Sequence, residues 1–287
     1  MTTPLPTYIL TLSCPDRTGI VFSVSGFLLE RGGNIIDSAQ FNDPETGLFF
    51  MRVLFSISRP EVDIAALRGQ FEELGQRFAM AWQIHDATVR PKVMILVSQH
   101  GHCLNDLLYR YRAGYLKMEI PAIVSNHMDF YQLAASYNIP FFHLPVTKQT
   151  KAQQEAKLIE IVRETNVDLV VLARYMQILS ADVCRELQGR AMNIHHSFLP
   201  SFKGARPYAQ AHQRGVKLIG ATAHYATTDL DEGPIIEQDV IRTSHRDSVD
   251  DLVRKGRDVE RSVLARAVRW HLEDRILVYG NRTVVFE

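Results

Sequence analysis

The sequence predicts an α/β chain in two units: a βαββαβ unit over residues 1–89, then a unit with a mostly parallel sheet over 90–287. Three observations predict it. Tyr8–Ser13 is a β-branched and apolar strand stopped by Cys14-Pro15-Asp16. Beyond Arg90-Pro91 a new apolar strand, Lys92–Val97, begins a series in which short apolar runs alternate with helical periodicity. At 287 residues the chain is long enough to bury two cores.

In the first unit Ile20, Val24, Phe27 and Leu28 share one helical face, with Asp16 or Thr18 as expected caps. Arg31-Gly32-Gly33-Asn34 ends that helix. Strands Ile35–Phe41 and Leu48–Phe55 flank the turn at 42–47. A second helix follows from the spacing of Ile64, Leu67, Phe71, Leu74 and Phe78, and Ala81–Val89 is the last strand. This is the ferredoxin-like order.

The second unit continues from Lys92–Val97 through the loop 98–103, a helix at 104–111, strand 122–125 and a helix through Tyr131–Tyr137. Phe141–Leu144, a long helix from about Lys151 to Thr165, and the apolar strand 168–173 come next. Right-handed crossovers between such strands give a Rossmann-like sheet. The loop at 98–103 matches neither GxGxxG nor a P-loop, so no nucleotide cofactor is implied. Ser248-Val249-Asp250-Asp251 opens a long amphipathic helix with a capping-box pattern, and 276–286 reads as a terminal hairpin.

Lys plus Arg and Asp plus Glu both number 32, a balance that gives no bias toward nucleic acid or an anionic membrane. The expected partner is a small molecule. No apolar run reaches the roughly 20 residues of a membrane helix, and no signal peptide is read at Met1-Thr2-Thr3-Pro4, so a cytoplasmic protein is expected. The three cysteines lie far apart, without metal-ligand or disulfide spacing.

The chemistry is concentrated in Asn193-Ile194-His195-His196-Ser197-Phe198-Leu199-Pro200, answered by Asp229-Leu230-Asp231-Glu232-Gly233-Pro234. An amide, an imidazole and a carboxylate can polarise a carbonyl, hold its oxyanion and move protons. No Gly-x-Ser-x-Gly elbow surrounds Ser197, Cys103 has no evident histidine partner, and no HExxH is present. The expectation is acyl transfer without a covalent nucleophile and without a metal.

These two segments, with the strand at 220–225 that carries His224, resemble the active-site signature of the formyltransferase superfamily that uses 10-formyltetrahydrofolate. Asp16-Arg17-Thr18-Gly19-Ile20-Val21 with Gly33-Asn34-Ile35 resembles an ACT domain. The joint resemblance is to the ACT-fused branch of that superfamily, in which water is the acceptor. It implies hydrolysis of 10-formyltetrahydrofolate to formate and tetrahydrofolate, feeding formate to purine synthesis, with the folate as substrate and no further cofactor. The alternative is a glycinamide ribonucleotide formyltransferase using the same donor; the loop 99–104, bulkier than that family's glycine- and asparagine-rich phosphate loop, favours water.

For a formyl group on an aryl-amine nitrogen, Asn193 with its amide hydrogens and His195 with its ring proton are the expected donors to the oxyanion. Asp231 would hold His195 in place, accept a proton from water, or both, and His224 would help position the water. Carried over position by position from the resemblance, Met176, Ile178 and Leu179 would wall the pterin pocket, and the backbone of Arg174 and Gln177 would read the ring edge. Lys203 would contact the glutamate tail or substrate. On the ACT side, Asp16, Gly19, Gly33 and Asn34 are the expected amino-acid effector positions, and ACT pairing implies a homo-oligomer.

Overall fold

The computed structural model describes residues 5–58, 63–200 and 207–287. They form two compact units, one comprising 1–90 with 273–279 and 283–287, the other 91–272 with 280–282.

The first unit runs β1 (Thr7–Pro15), α1 (Ile20–Glu30), β2 (Gly33–Asp43), β3 (Leu48–Ile57), α2 (Ile64–Phe78), β4 (Ala81–Asp86). Its antiparallel sheet has the order β2-β3-β1-β4, as the ferredoxin-like reading expects. Leu10 and Leu12 of β1, Val53 and Phe55 of β3, and Phe71 of α2 meet in one core. Successive residues of a strand face opposite ways, and β3 is apolar at nearly every position because both its faces are covered. Phe50 packs on the far side with Leu277, Tyr279, Val284 and Phe286.

Two local expectations are corrected. Neither Asp16 nor Thr18 caps α1; Gly19 is the N-cap, at φ 94°, a conformation glycine adopts without a Cβ penalty. The last strand stops at Asp86, whose side chain accepts hydrogen bonds from the Thr88 amide and hydroxyl and turns the chain.

The second unit contains β5 (Val93–Val97), α3 (His102–Arg112), β6 (Ile123–Ser125), α4 (Tyr131–Ser136), β7 (Phe141–His143), α5 (Lys151–Glu164), β8 (Leu169–Leu172), α6 (Ala181–Glu186) and β9 (Ala191–His195). It continues with α7 (Pro207–Arg214), β10 (Leu218–Tyr225), β11 (Ile235–Arg242) and α8 (Val249–Leu272). The sheet order is β11-β10-β9-β8-β5-β6-β7. The five strands from β9 to β7 are parallel, and β10 runs antiparallel to both its neighbours. Strand order reverses between β5 and β8, where the loop after β8 is tied to Ser98 at the end of β5. At α8 the capping box forms reciprocally: Ser248 N and Oγ donate to Asp251 Oδ2, and Asp251 N donates to Ser248 Oγ.

The terminal hairpin, β12 (Ile276–Tyr279) and β13 (Arg282–Val285), forms as expected. Most of it belongs to the first unit, whereas the sequence reading placed it in the second. The Phe50 face of the first sheet supplies its apolar partners.

Candidate active site

Asn193 and His195 are two apart on β9 and therefore share a face. Opposite them on β10, Asn193 pairs with His224 and His195 with Thr222. The β10–β11 register shifts between Ala223 and His224, and such an irregularity re-aims side chains. His224 Nδ1 lies 3.0 Å from the Tyr225 carbonyl, which can only accept, so that nitrogen carries a proton. His224 Nε2 then takes an N–H from Asn193 Nδ2 at 3.2 Å. With both nitrogens engaged and the ring buried, His224 orients the Asn193 amide.

Asp231 reaches the same place from the β10–β11 turn, in the left-handed conformation at φ 58°, which a short polar side chain tolerates better than most. The turn is pinned by close approach: a Cβ on Gly233 would sit 1.8 Å from the Tyr225 carbonyl oxygen, and Tyr225 N donates to Pro234 O at 3.0 Å. Asp231 Oδ2 is 3.2 Å from His195 Nδ1, and Oδ1 is 3.7 Å from His224 Nε2. Burial works against the Asp231 charge, but the hydrogen bond from His195 and the neighbouring His224 ring hold its carboxyl well below the usual carboxylate range. His195 is 6% exposed, and its Nε2 is buried with no hydrogen-bond partner among the described residues.

Thr222 holds the chain beyond β9, donating to the Ser197 carbonyl at 2.9 Å and accepting from Leu199 N at 3.1 Å and Gln238 Nε2 at 2.9 Å. The His196 ring stacks on His195 with centroids 5.2 Å apart. Burial, then the Arg174 charge, pushes the His196 imidazole down to about 3.

The segment from Arg174 to Leu179 forms the facing wall of a cavity of about 340 Å³, which Asn193, His195, His224 and Asp231 also line. Four contacts fix this loop. Ser98 N donates to the Arg174 carbonyl, Ser98 Oγ accepts from Met176 N at 2.9 Å, Gln154 Nε2 donates to Tyr175 Oη at 3.0 Å, and Glu155 accepts from Ser180 N at 2.8 Å. Met176 and Ile178 are 53% and 60% exposed, so they line the cavity instead of filling a core. Leu179 is partly buried against the sheet core. The backbone groups of Gln177, Ile178 and Leu179 take no hydrogen bond from the described residues and remain available to a polar ring edge.

The structure thus brings together Asn193, His195, His224, Asp231 and the 174–179 loop, while Lys203 lies outside the described residues. Sequence reasoning passed over Tyr175, His196, Thr227, Thr228 and Leu230 as cavity-lining residues. It also missed the supports Ser98, Gln154 and Glu155; Gln154 and Glu155 are buried polar positions on α5 that interrupt an otherwise apolar face. In the first unit the expected effector positions have structural duties. Asp16 accepts from the Asn42 side chain, Gly19 caps α1, a Cβ on Gly33 would lie 2.7 Å from the Leu28 carbonyl oxygen, and Asn34 pairs with Ser56.

An oriented amide and an Asp–His pair on the floor of an apolar-walled crevice are groups able to polarise a carbonyl and move protons. The family described as Formyl transferase matches residues 91–268, and the ACT domain family matches 8–75. A Formyltetrahydrofolate deformylase of Synechocystis sp. is 52% identical over 98% of each chain. The crystal structure of the Burkholderia mallei formyltetrahydrofolate deformylase superposes with a TM-score of 0.93 at 51% identity, covering 98% of this chain and all of that one. The glycinamide ribonucleotide transformylase 1 of Symbiobacterium toebii is more distant, with a TM-score of 0.65 and 30% identity over 69% of this chain and 95% of its own. The chain belongs to the formyl transferase family, in its ACT-fused group of formyltetrahydrofolate deformylases.

Proposed function

We propose that the protein hydrolyses 10-formyltetrahydrofolate to formate and tetrahydrofolate, with water as the acceptor. The observation that carries the mechanism is the buried, unpartnered His195 Nε2 whose other nitrogen is held by Asp231. Since Nδ1–H donates to the carboxylate, Nε2 is the basic face of the ring, oriented as a general base needs, and His195 takes that role in place of the oxyanion donation expected from the sequence. Water adds to the formyl carbon as Nε2 takes its proton, and the carbonyl electron pair moves onto oxygen. One Asn193 N–H is committed to His224, and the other is left for that oxyanion. Collapse breaks the carbon–nitrogen bond, and the imidazolium returns the proton to the departing folate nitrogen. Asp231 stays ionised throughout and stabilises the imidazolium. Asn193, His195 and Asp231 are the catalytic groups, with His224 positioning Asn193.

The exposed Met176 and Ile178 side chains cover the faces of the pterin, and the backbone from Gln177 to Leu179 reads its edge, the expected Arg174 carbonyl being taken up by Ser98 N. The folate is substrate, and the chemistry needs no further cofactor. A cytoplasmic location, a homo-oligomer and an amino-acid effector on the ACT domain belong to the same proposal.

The test is formate release from 10-formyltetrahydrofolate with no amine present, in the parent and in Asp231→Asn. Expected are steady turnover in the parent and a loss of at least about a hundredfold in kcat in the variant. A parent that is inert until glycinamide ribonucleotide is added would assign the transferase reaction instead.

A further inference from the structure

Glu260 is a carboxylate in the middle of α8 that is only 1% exposed. His102 Nε2 lies 2.7 Å from its Oε2, Tyr208 donates to its Oε1 at 2.5 Å, and Arg174 Nε is 3.3 Å from Oε2. Burial opposes its charge, yet the His102 hydrogen bond and the Arg174 guanidinium hold the carboxyl below its ordinary range. The helix is shaped to admit one partner: a Cβ on Gly256, one turn earlier, would sit 2.1 Å from the Tyr208 hydroxyl.

An apolar side chain would fill this place at less cost, because a buried ion pair seldom repays its lost hydration. What the charge adds is hydrogen-bond geometry for His102 and Tyr208 and an ion pair for Arg174, three partners on separate segments. Arg174 is held at φ 66°, unusual for a non-glycine residue, at the start of the cavity-wall loop. The Tyr208 ring packs 6.2 Å from His196, which in turn stacks on His195. Glu260 is therefore connected to the wall through Arg174 and to the floor through Tyr208.

Among the described residues, His102, Cys103 and Glu260 also have ligand atoms within 4.8 Å of one another, the size of a metal site. The Arg174 guanidinium already supplies the cation there, and burial pushes the Cys103 thiol well up, away from the thiolate a metal needs.

We propose that Glu260 is a positioning residue for the formyl-transfer site, holding the Arg174–Leu179 wall through Arg174 and the His195–His196 pair through Tyr208. The inference rests on the hydrolytic reading above. It makes two separable demands, since the wall binds the folate and the floor carries out the reaction.

The experiment measures kcat, KM for 10-formyltetrahydrofolate, melting temperature and bound metal for the full chain, Glu260→Gln and Tyr208→Phe. Glu260→Gln keeps the shape and removes the charge; a kcat loss of about tenfold to a hundredfold is expected, with a severalfold rise in KM. Tyr208→Phe loses only the hydroxyl, and a fall in kcat with KM within twofold is expected. This split between the parameters is what a role in packing alone would not give, and Tyr208→Phe decides the matter should Glu260→Gln fail to fold. A folded Glu260→Gln or Tyr208→Phe with both parameters within twofold of the parent overturns the inference. So does stoichiometric zinc in the parent that Glu260→Gln lacks. An active parent beside an indifferent variant refutes this inference alone, whereas an inert parent removes the hydrolytic reading beneath it.

Discussion

His196 is where acidity should act on the fold. Its folded-state pKa lies far below the ordinary value of 6.5, at about 3, so between those limits the unfolded chain binds a proton that the folded protein refuses. Stability then rises with pH across that window, by up to about 1.4 kcal/mol per pH unit from this one group. Urea unfolding at pH 6.5 and pH 5 should show a smaller difference for His196→Gln than for the parent; equal differences would mean that His196 is not the group responsible. Asp231 acts in the same direction at lower pH. Its depressed pKa contributes stability above the unfolded carboxylate value, which is lost as pH falls through the folded one. Asn193, His195 and Asp231 were legible in the sequence because they sit in short runs of distinctive order. Glu260 was not singled out, although a signal was there: it falls on the apolar face of its helix, four residues before Leu264 and seven before Ala267, where a charged residue is out of place.

Among the elements, the turn between β10 and β11 shows how a backbone contact can place a catalytic group. Asp231 is two residues before Gly233, whose missing Cβ allows the chain to lie against the Tyr225 carbonyl. Gly233→Ala should therefore lower kcat by about tenfold or more by displacing the carboxylate from His195, with far-ultraviolet circular dichroism unchanged. A variant with parental kcat would show that the turn can yield without moving Asp231. Strand and helix identities followed well from periodicity, since β5 and β8 are buried on both faces and α2 and α8 show their apolar stripes. Boundaries followed less well where a side chain made the decision, as at Asp86, or where glycine displaced the expected polar cap, as at Gly19. The antiparallel direction of β10 was not readable either, because side-chain alternation is the same whichever way a strand runs.

The whole molecule is one in which the first unit is discontinuous in sequence, taking in 273–279 and 283–287 beside 1–90. The hairpin was recognisable from its own residues, but its destination was not. Local alternation reports which side chains are apolar and nothing about the distant surface that will cover them. Residues 1–90 produced alone should bind a hydrophobic dye at the uncovered Phe50 face and melt with low cooperativity, and joining 273–287 to them through a flexible linker should reverse both. If the shorter piece melts as sharply as the longer one, the hairpin is dispensable to that sheet. The arrangement also imposes an order in time. Translation at ordinary rates leaves roughly ten to forty seconds between the first sheet and the hairpin that covers it, while Pro91–Leu272 is made. Through that interval the nascent chain carries an unfinished apolar surface, so this protein is most open to misassociation while it is still attached to the ribosome.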